Sequence, residues 1–202
     1  LNDGSIPNRN IFMDTYVMKK EMLIRLIRDA KKHSSIFNLT DILNLEHDSL
    51  DIRGAQHKGA YMAAIYDLRS YFRANMELLH YDTAQQLFSS DWPIYTQTTD
   101  AIPVHYYEGA RVVNSMVANG SSVYGTVENS VIGRGVEIKK GAVVKNCLIL
   151  GHSVIGENVH LENQIVDKWA KMIIVTELTA EPDYPGYIRR NDVLCSDSVS
   201  GS

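Results

Sequence analysis

Between Asn114 and Asp167 a short phrase recurs four times: Asn, one variable residue, then two apolar residues. It reads Asn114-Ser115-Met116-Val117, Asn129-Ser130-Val131-Ile132, Asn146-Cys147-Leu148-Ile149 and Asn163-Gln164-Ile165-Val166, with steps of 15, 17 and 17 residues. A shorter period is nested inside. Ile132, Ile138, Val144 and Leu150 follow at intervals of six, and Ile155 and Leu161 resume the six-step after one five-residue slip. Gly133, Gly135, Gly141, Gly151 and Gly156 fall between them. A fixed period of this kind signals a solenoid, and a period of six signals the hexapeptide parallel β-helix. Each unit is one short strand and a turn, and three units make a coil. One coil cannot bury its aliphatic residues alone, so coils stack around a shared core. An antiparallel sandwich would instead alternate with period two. Asn114 to Asp167 also lacks proline, as a stacked ladder requires, because proline donates no backbone hydrogen bond.

The rest of the chain reads differently. Ile11 to Met18 and Leu50 to Gln56 are expected strands; Lys20 to Lys32, a short segment from Asn38 or Thr40 to Leu45, and Asp67 to Leu79 are expected helices. The series is α/β in character and short for a complete domain. Residues 1–90 are therefore assigned to the end of an α/β domain, 91–110 to a connector bracketed by Pro93 and Pro103, and 111–195 to the β-helix with its C-terminal strands. The Ser-rich residues 196–202 are assigned to a disordered tail. The repeat is expected to fade after Asp167, with strands at Trp169 to Thr176 and Tyr187 to Leu194. The chain opens Leu1-Asn2-Asp3-Gly4 without an initiator methionine and is expected to be a fragment of a longer protein.

Composition narrows the function classes. A hydrophobic content of 45% allows a sizeable core, and a net charge of −4 provides no basic field for nucleic acid. No run approaches 18 apolar residues, so no membrane-spanning helix is expected. With two cysteines only, Cys147 and Cys195, a reducing, cytoplasmic setting is expected, with Cys147 as a small core residue. His152 and His160 lie where hexapeptide acyltransferases carry a catalytic histidine; the alternative is solvent-facing turn residues. Gly133-Arg134-Gly135 has no third glycine and no following helix, and reads as a β-helix turn, not a dinucleotide loop.

Several phrases together resemble the glucose-1-phosphate adenylyltransferase (ADP-glucose pyrophosphorylase) family. They are Tyr71-Phe72-Arg73-Ala74-Asn75-Met76, Trp92-Pro93-Ile94, the Asn-Ser-Val-Ile repeats, and Val166-Asp167-Lys168. The resemblance implies an α/β nucleotidyltransferase domain joined to a C-terminal left-handed β-helix, working as a tetramer, with Mg²⁺ at the active site. Active members carry Asp-Val-Gly-Thr ahead of the Tyr-x-x-Ala-Asn helix, and its aspartate helps to hold the metal. Here that segment is Ala64-Ile65-Tyr66-Asp67. Ala64 supplies no oxygen ligand, and Asp67 lies at the helix start, where it caps.

The pattern is most similar to the catalytically weak GlgD type of subunit, which accompanies an active one. A regulatory or structural role in ADP-glucose supply for glycogen is therefore expected, with no cofactor in this fragment, the catalytic subunit as partner, and self-association through the β-helix. The apolar run of Trp169, Met172, Ile173, Ile174 and Val175 is expected to serve that contact. The family's activator-binding lysine corresponds to Lys168. An anionic effector would need further cations from nearby segments, and Lys171, Arg189 and Arg190 are the candidates. An active sugar-nucleotide pyrophosphorylase and a hexapeptide acyltransferase remain the alternatives.

Overall fold

The computed structural model describes residues 13, 15–30, 38–55, 61–90, 93–96, 100–173 and 177–194. They fall into two compact units, Leu1–Gly59 and Ala60–Ser202.

The regular elements among the described residues of the first unit are helical. Helix α1 (Lys20–Ala30) buries Leu26. Helix α2 (Leu39–Leu45) buries Ile42, and the Asn38 side chain accepts from the Asp41 N–H at its start. The strands expected at Ile11 to Met18 and Leu50 to Gln56 do not form among the described residues of those stretches. Their compositions suit a strand, but a strand needs a neighbour to bond, and Val17 and Ile52 stand exposed instead.

The second unit is built on the solenoid. Its coils are β1 (His105–Tyr106), β2 (Arg111–Val113), β3 (Met116–Val117); β4 (Ser122–Val123), β5 (Thr126–Glu128), β6 (Val131–Ile132); β7 (Glu137–Ile138), β8 (Val143–Lys145), β9 (Leu148–Ile149); β10 (Val154–Ile155), β11 (His160–Glu162), β12 (Gln164–Val166); β13 (Lys171–Met172), β14 (Glu177–Thr179), β15 (Gly186–Ile188); and then β16 (Val193–Leu194). Every strand pairs in parallel with the strand three places on. Three faces result, of six, five and five strands. Face one holds β1 and every third strand after it, face two begins at β2, and face three at β3.

Two sequence boundaries move. The first strand, at His105, lies inside the stretch assigned to the connector, because β1 finds a ladder partner in β4. The coils also continue past Asp167. The expected strand at Trp169 to Thr176 is the two-residue β13 followed by residues 174–176, which lie outside the described ones, and Tyr187 to Leu194 is two strands around a corner. The six-residue period hides this because Ala180 to Pro185 interrupts it, with Glu181 and Tyr184 bridging across a turn. The assigned tail, 196–202, is also outside the described residues.

The inward column runs Val123, Val127, Ile132, Ile138, Val144, Ile149, Ile155, Leu161, Val166 and Met172, each fully or almost fully buried. The five-residue slip therefore falls between Val144 and Ile149, one position earlier than the sequence spacing suggests. Leu150 points outward, where it packs with α3 (Leu68–Glu77). Each 17-residue coil is thus six, six and five. Asparagines Asn114, Asn129, Asn146 and Asn163 sit at the corner between faces two and three, all in the left-handed region with φ between 43° and 54°. Asparagine tolerates that conformation better than most residues.

The variable residue after each Asn also has a task. Ser115 accepts from the Ser130 N–H and Ser130 accepts from the Cys147 N–H, a polar stitch carried from coil to coil. At Cys147 the stitch becomes a thiol, fully buried, and burial pushes its pKa up to about 12. It is a core residue, as expected.

Helix α3 lies across face three. Phe72 packs on Leu148 and Ile165, with Tyr71, Met76, Val131 and Leu150 around it. This explains why three of the four repeat phrases have two apolar residues: the second points into the solenoid, and the first (Val131, Leu148 or Ile165) packs with α3. A further short helix, α4 (Tyr81–Leu87), which the sequence patterns do not announce, follows. No helix among the described residues is long and apolar enough to cross a membrane.

Candidate functional site

The expected cap on α3 forms. Asp67 accepts from the Ser70 N–H at 2.7 Å, and the Asp67 N–H reaches the Ser70 hydroxyl at 3.0 Å, a reciprocal capping box. The Ser70 hydroxyl also donates to the Asp67 carboxylate at 2.6 Å. These hydrogen bonds from Ser70 hold the Asp67 carboxyl below its ordinary value. A depressed folded-state value means stability that is complete above the unfolded carboxylate value of about 3.9 and lost as pH falls through the folded one. Asp67→Ala should therefore lower the stability of the wild-type protein at pH 7, with the gap closing below about pH 4 as the wild-type carboxylate protonates. Urea melts across that pH range read it out; a gap independent of pH would show that the carboxylate is not the cap.

The same geometry bears on the Mg²⁺ that the resemblance implies for active members. Ala64 offers no oxygen, the Asp67 carboxylate is taken up by the helix start, and among the described residues no group of three His, Cys, Asp or Glu could hold a metal ion. The described residues do not fit the metal.

The four cations Lys168, Lys171, Arg189 and Arg190 come from neighbouring coils at one corner, between faces three and one. At this corner each coil places one residue in the left-handed region: Gly120, Gly135, His152, Trp169 and Asn191, with φ between 63° and 76°. The Asn191 N–H donates to the Lys168 carbonyl, and Lys171 N–H to the Asp192 carbonyl, so the 167–171 and 189–193 segments run side by side. All four cationic side chains are exposed. Asp167 braces the corner: it accepts from the Lys168 N–H at 2.6 Å and from the Tyr187 hydroxyl at 2.8 Å. Its carboxylate raises the Tyr187 phenol above its ordinary value, because it accepts a hydrogen bond from the neutral phenol and repels a phenolate. Asp192 likewise accepts from the Arg189 N–H. Sequence spacing alone could not join Lys168 to Arg190, since the step between their coils carries the 180–185 insertion.

His152 is an exposed turn residue whose ring stacks on Trp169 at 4.2 Å and 13°. His160 is not a turn residue. It lies in β11, opposite Val143 and Glu177, with its Nε2 buried and without a hydrogen-bond partner. Gly133-Arg134-Gly135 is a β-helix turn, and Gly135 supplies the positive φ. In the expected contact run, Met172 is core, Trp169 is occupied by His152, and Ile173 is half-exposed; Ile174 and Val175 lie outside the described residues.

The three parallel faces, the six-residue units and the braced basic corner define a hexapeptide-repeat β-helix with a helix docked on one face. Residues 102–182 match the GlmU-like, C-terminal hexapeptide family. Across 139 residues the chain is 38% identical to glycogen biosynthesis protein GlgD of Geobacillus stearothermophilus, covering 69% of this chain and 40% of that one. It is 33% identical over 178 residues to GlgD of Bacillus subtilis, covering 88% and 51%. A glucose-1-phosphate adenylyltransferase of Fervidobacterium nodosum is 31% identical over 163 residues, covering 81% and 39%. The chain is thus related to the GlgD and glucose-1-phosphate adenylyltransferase proteins over most of its own length. It spans between 39% and 51% of theirs.

Proposed function

We propose that this chain is part of a regulatory or structural subunit of glucose-1-phosphate adenylyltransferase, serving ADP-glucose supply for glycogen synthesis in the cytoplasm. The observation that carries it is the likeness to GlgD, joined to Asp67, which is spent as a helix cap, and to Ala64, which stands where the family pattern implies a metal-holding aspartate. In this reading the chain partners a catalytic subunit and associates with itself through the β-helix. A phosphorylated effector is held at the corner of Lys168, Lys171, Arg189 and Arg190. Exposed cations on two adjacent coils suit a phosphate group, which takes forked contacts from arginine and a point charge from lysine.

The test is to mix the chain with a catalytic adenylyltransferase subunit and follow pyrophosphate release from ATP and glucose 1-phosphate with Mg²⁺. The chain alone should give no turnover above background. The mixture should respond to phosphorylated sugars, and Lys168→Ala with Arg190→Ala should raise the effector concentration needed by roughly tenfold or more, the scale of one lost charged contact. Turnover by the chain alone would favour the alternative of an active pyrophosphorylase, and a response unchanged in the double variant would remove the effector site.

A further inference from the structure

One of the repeat steps is 15 residues where the others are 17, and the structure shows where the two residues are missing. At the corner between faces one and two, the positions in register with the inward column are six apart in four coils: Tyr106 to Val112, Ile138 to Val144, Ile155 to Leu161, and Met172 to Leu178. In the second coil they are four apart, Val123 to Val127. That coil turns through Tyr124-Gly125 alone. Gly125 is drawn in so tightly that a Cβ there would collide with the Ala142 carbonyl oxygen. The neighbouring corners at Glu108-Gly109 and Lys140-Gly141 project on either side. A notch remains, and a half-open depression of about 460 Å³ starts in it and reaches on to Glu157 and Asn158 of the following coil, within the range of about 300–1,000 Å³ usual for small-molecule sites.

Its side chains select the chemistry. Glu108 and Glu157 are acceptors only, Lys140 is a donor only, and Asn158, Thr126 and Tyr124 offer both. The rest of the lining is Gly and Ala, so backbone is within reach. Two carboxylates repel a phosphorylated ligand. An apolar ligand makes no use of the exposed charged groups around it. A neutral polyhydroxy compound suits both kinds of group, because each hydroxyl donates and accepts. Tyr124 also lines the notch, and its ring stacks on Tyr107 at 3.7 Å and 12°.

We propose that this notch is a carbohydrate-binding site, and that it takes a glucose unit of an α-glucan chain. The choice of glucose polymer rests on the glycogen reading above; the preference for a neutral polyol rests on the notch. The site lies on a different corner from Lys168 and Arg190, so it anchors the subunit to its polymer without competing for an effector.

Maltotriose is titrated into the full chain, with calorimetry and amide chemical shifts as readouts, beside cellotriose and a tri-lysine peptide. Maltotriose should bind and shift the amides of residues 108–109, 124–126, 140–142 and 157–158. Tyr124→Ala and Asn158→Gly should each weaken it by roughly tenfold or more; the glycine keeps the positive φ of Asn158. An insertion of two residues after Tyr124, restoring a 17-residue coil, should abolish it with the circular dichroism spectrum intact. Lys168→Ala with Arg190→Ala should leave it unchanged, so loss of the effector response and loss of glucan binding are separable. No binding of maltotriose at about 10 mM, a concentration well above a Kd of ~1 mM, would overturn the site. So would binding of cellotriose or tri-lysine in its place, or maltotriose binding that survives all three notch variants.

Discussion

Ile138→Asp should destabilise the second unit by more than about 4 kcal/mol, enough to lower the melting temperature by roughly 10 °C or to prevent folding. Ile138 is completely buried, and its ladder neighbours on the same face, Val123 and Ile155, are completely buried too. A carboxylate there has no partner in a dry column, so its folded-state value rises. The defect is therefore smallest below about pH 4, where the acid is protonated in both states; it grows as pH rises above that value and is complete only once pH passes the raised folded-state value. Lys139 is the next residue and faces outward, where it pairs with Glu137. Lys139→Gln removes one half-exposed ion pair and should cost no more than about 1 kcal/mol. Equal losses in the two variants would mean that the inward register is wrong.

That register shows how much the sequence discloses. The nested periods of six and 17 specify a stacked parallel solenoid, because each period is a direct consequence of one strand per unit and three units per coil. What they conceal is which residue of an adjacent apolar pair points inward. Ile149 and Leu150 are both apolar, and Ile149 is buried in the solenoid while Leu150 meets α3. A six-residue count selects Leu150; only a second apolar layer outside face three explains why both are hydrophobic. Position Asp67 is legible for a different reason, since a helix start draws on residues within one turn and needs no tertiary information. The strands expected around Ile11 and Leu50 illustrate the converse. Composition sets a preference for extended backbone, and a ladder forms only where another strand is present to bond with. The basic corner falls between these cases. Lys168 is visible from the Asp-Lys pair, whereas its neighbour Arg190 is reached across an insertion that no period predicts. The carbohydrate notch is visible as a 15 in place of a 17, but its location at the corner between faces one and two is a matter of coordinates.

Phe72→Ala should release helix α3 from the solenoid at a cost of about 3–5 kcal/mol, the range for removing a buried aromatic ring. Phe72 is 8% exposed, and the residues beneath it, Leu148 and Ile165, are 1% exposed although they point away from the solenoid core. Their burial therefore depends on the helix. Other contacts hold α3 at its margins: Arg69 pairs with Asp183 at 2.6 Å and lies over the Tyr184 ring at 5.6 Å. Both Arg69 and Asp183 are at least half exposed, and a pair of that kind contributes at most about 1 kcal/mol. Phe72 therefore holds the helix more strongly than Arg69 does. The solenoid itself keeps its inward column in the variant, so the loss should be local and not global. Amide exchange should accelerate in Ser70 to Glu77 and at Leu148 and Ile165, while Ile138, Ile155 and Val144 keep their protection. Arg69→Ala should accelerate only the first turn of the helix. If Phe72→Ala lowers protection evenly across all coils, α3 and the solenoid unfold as one cooperative body. The outward apolar residue of three of the four repeat phrases would then serve the folding of the whole unit, and not a docking face that the helix can leave.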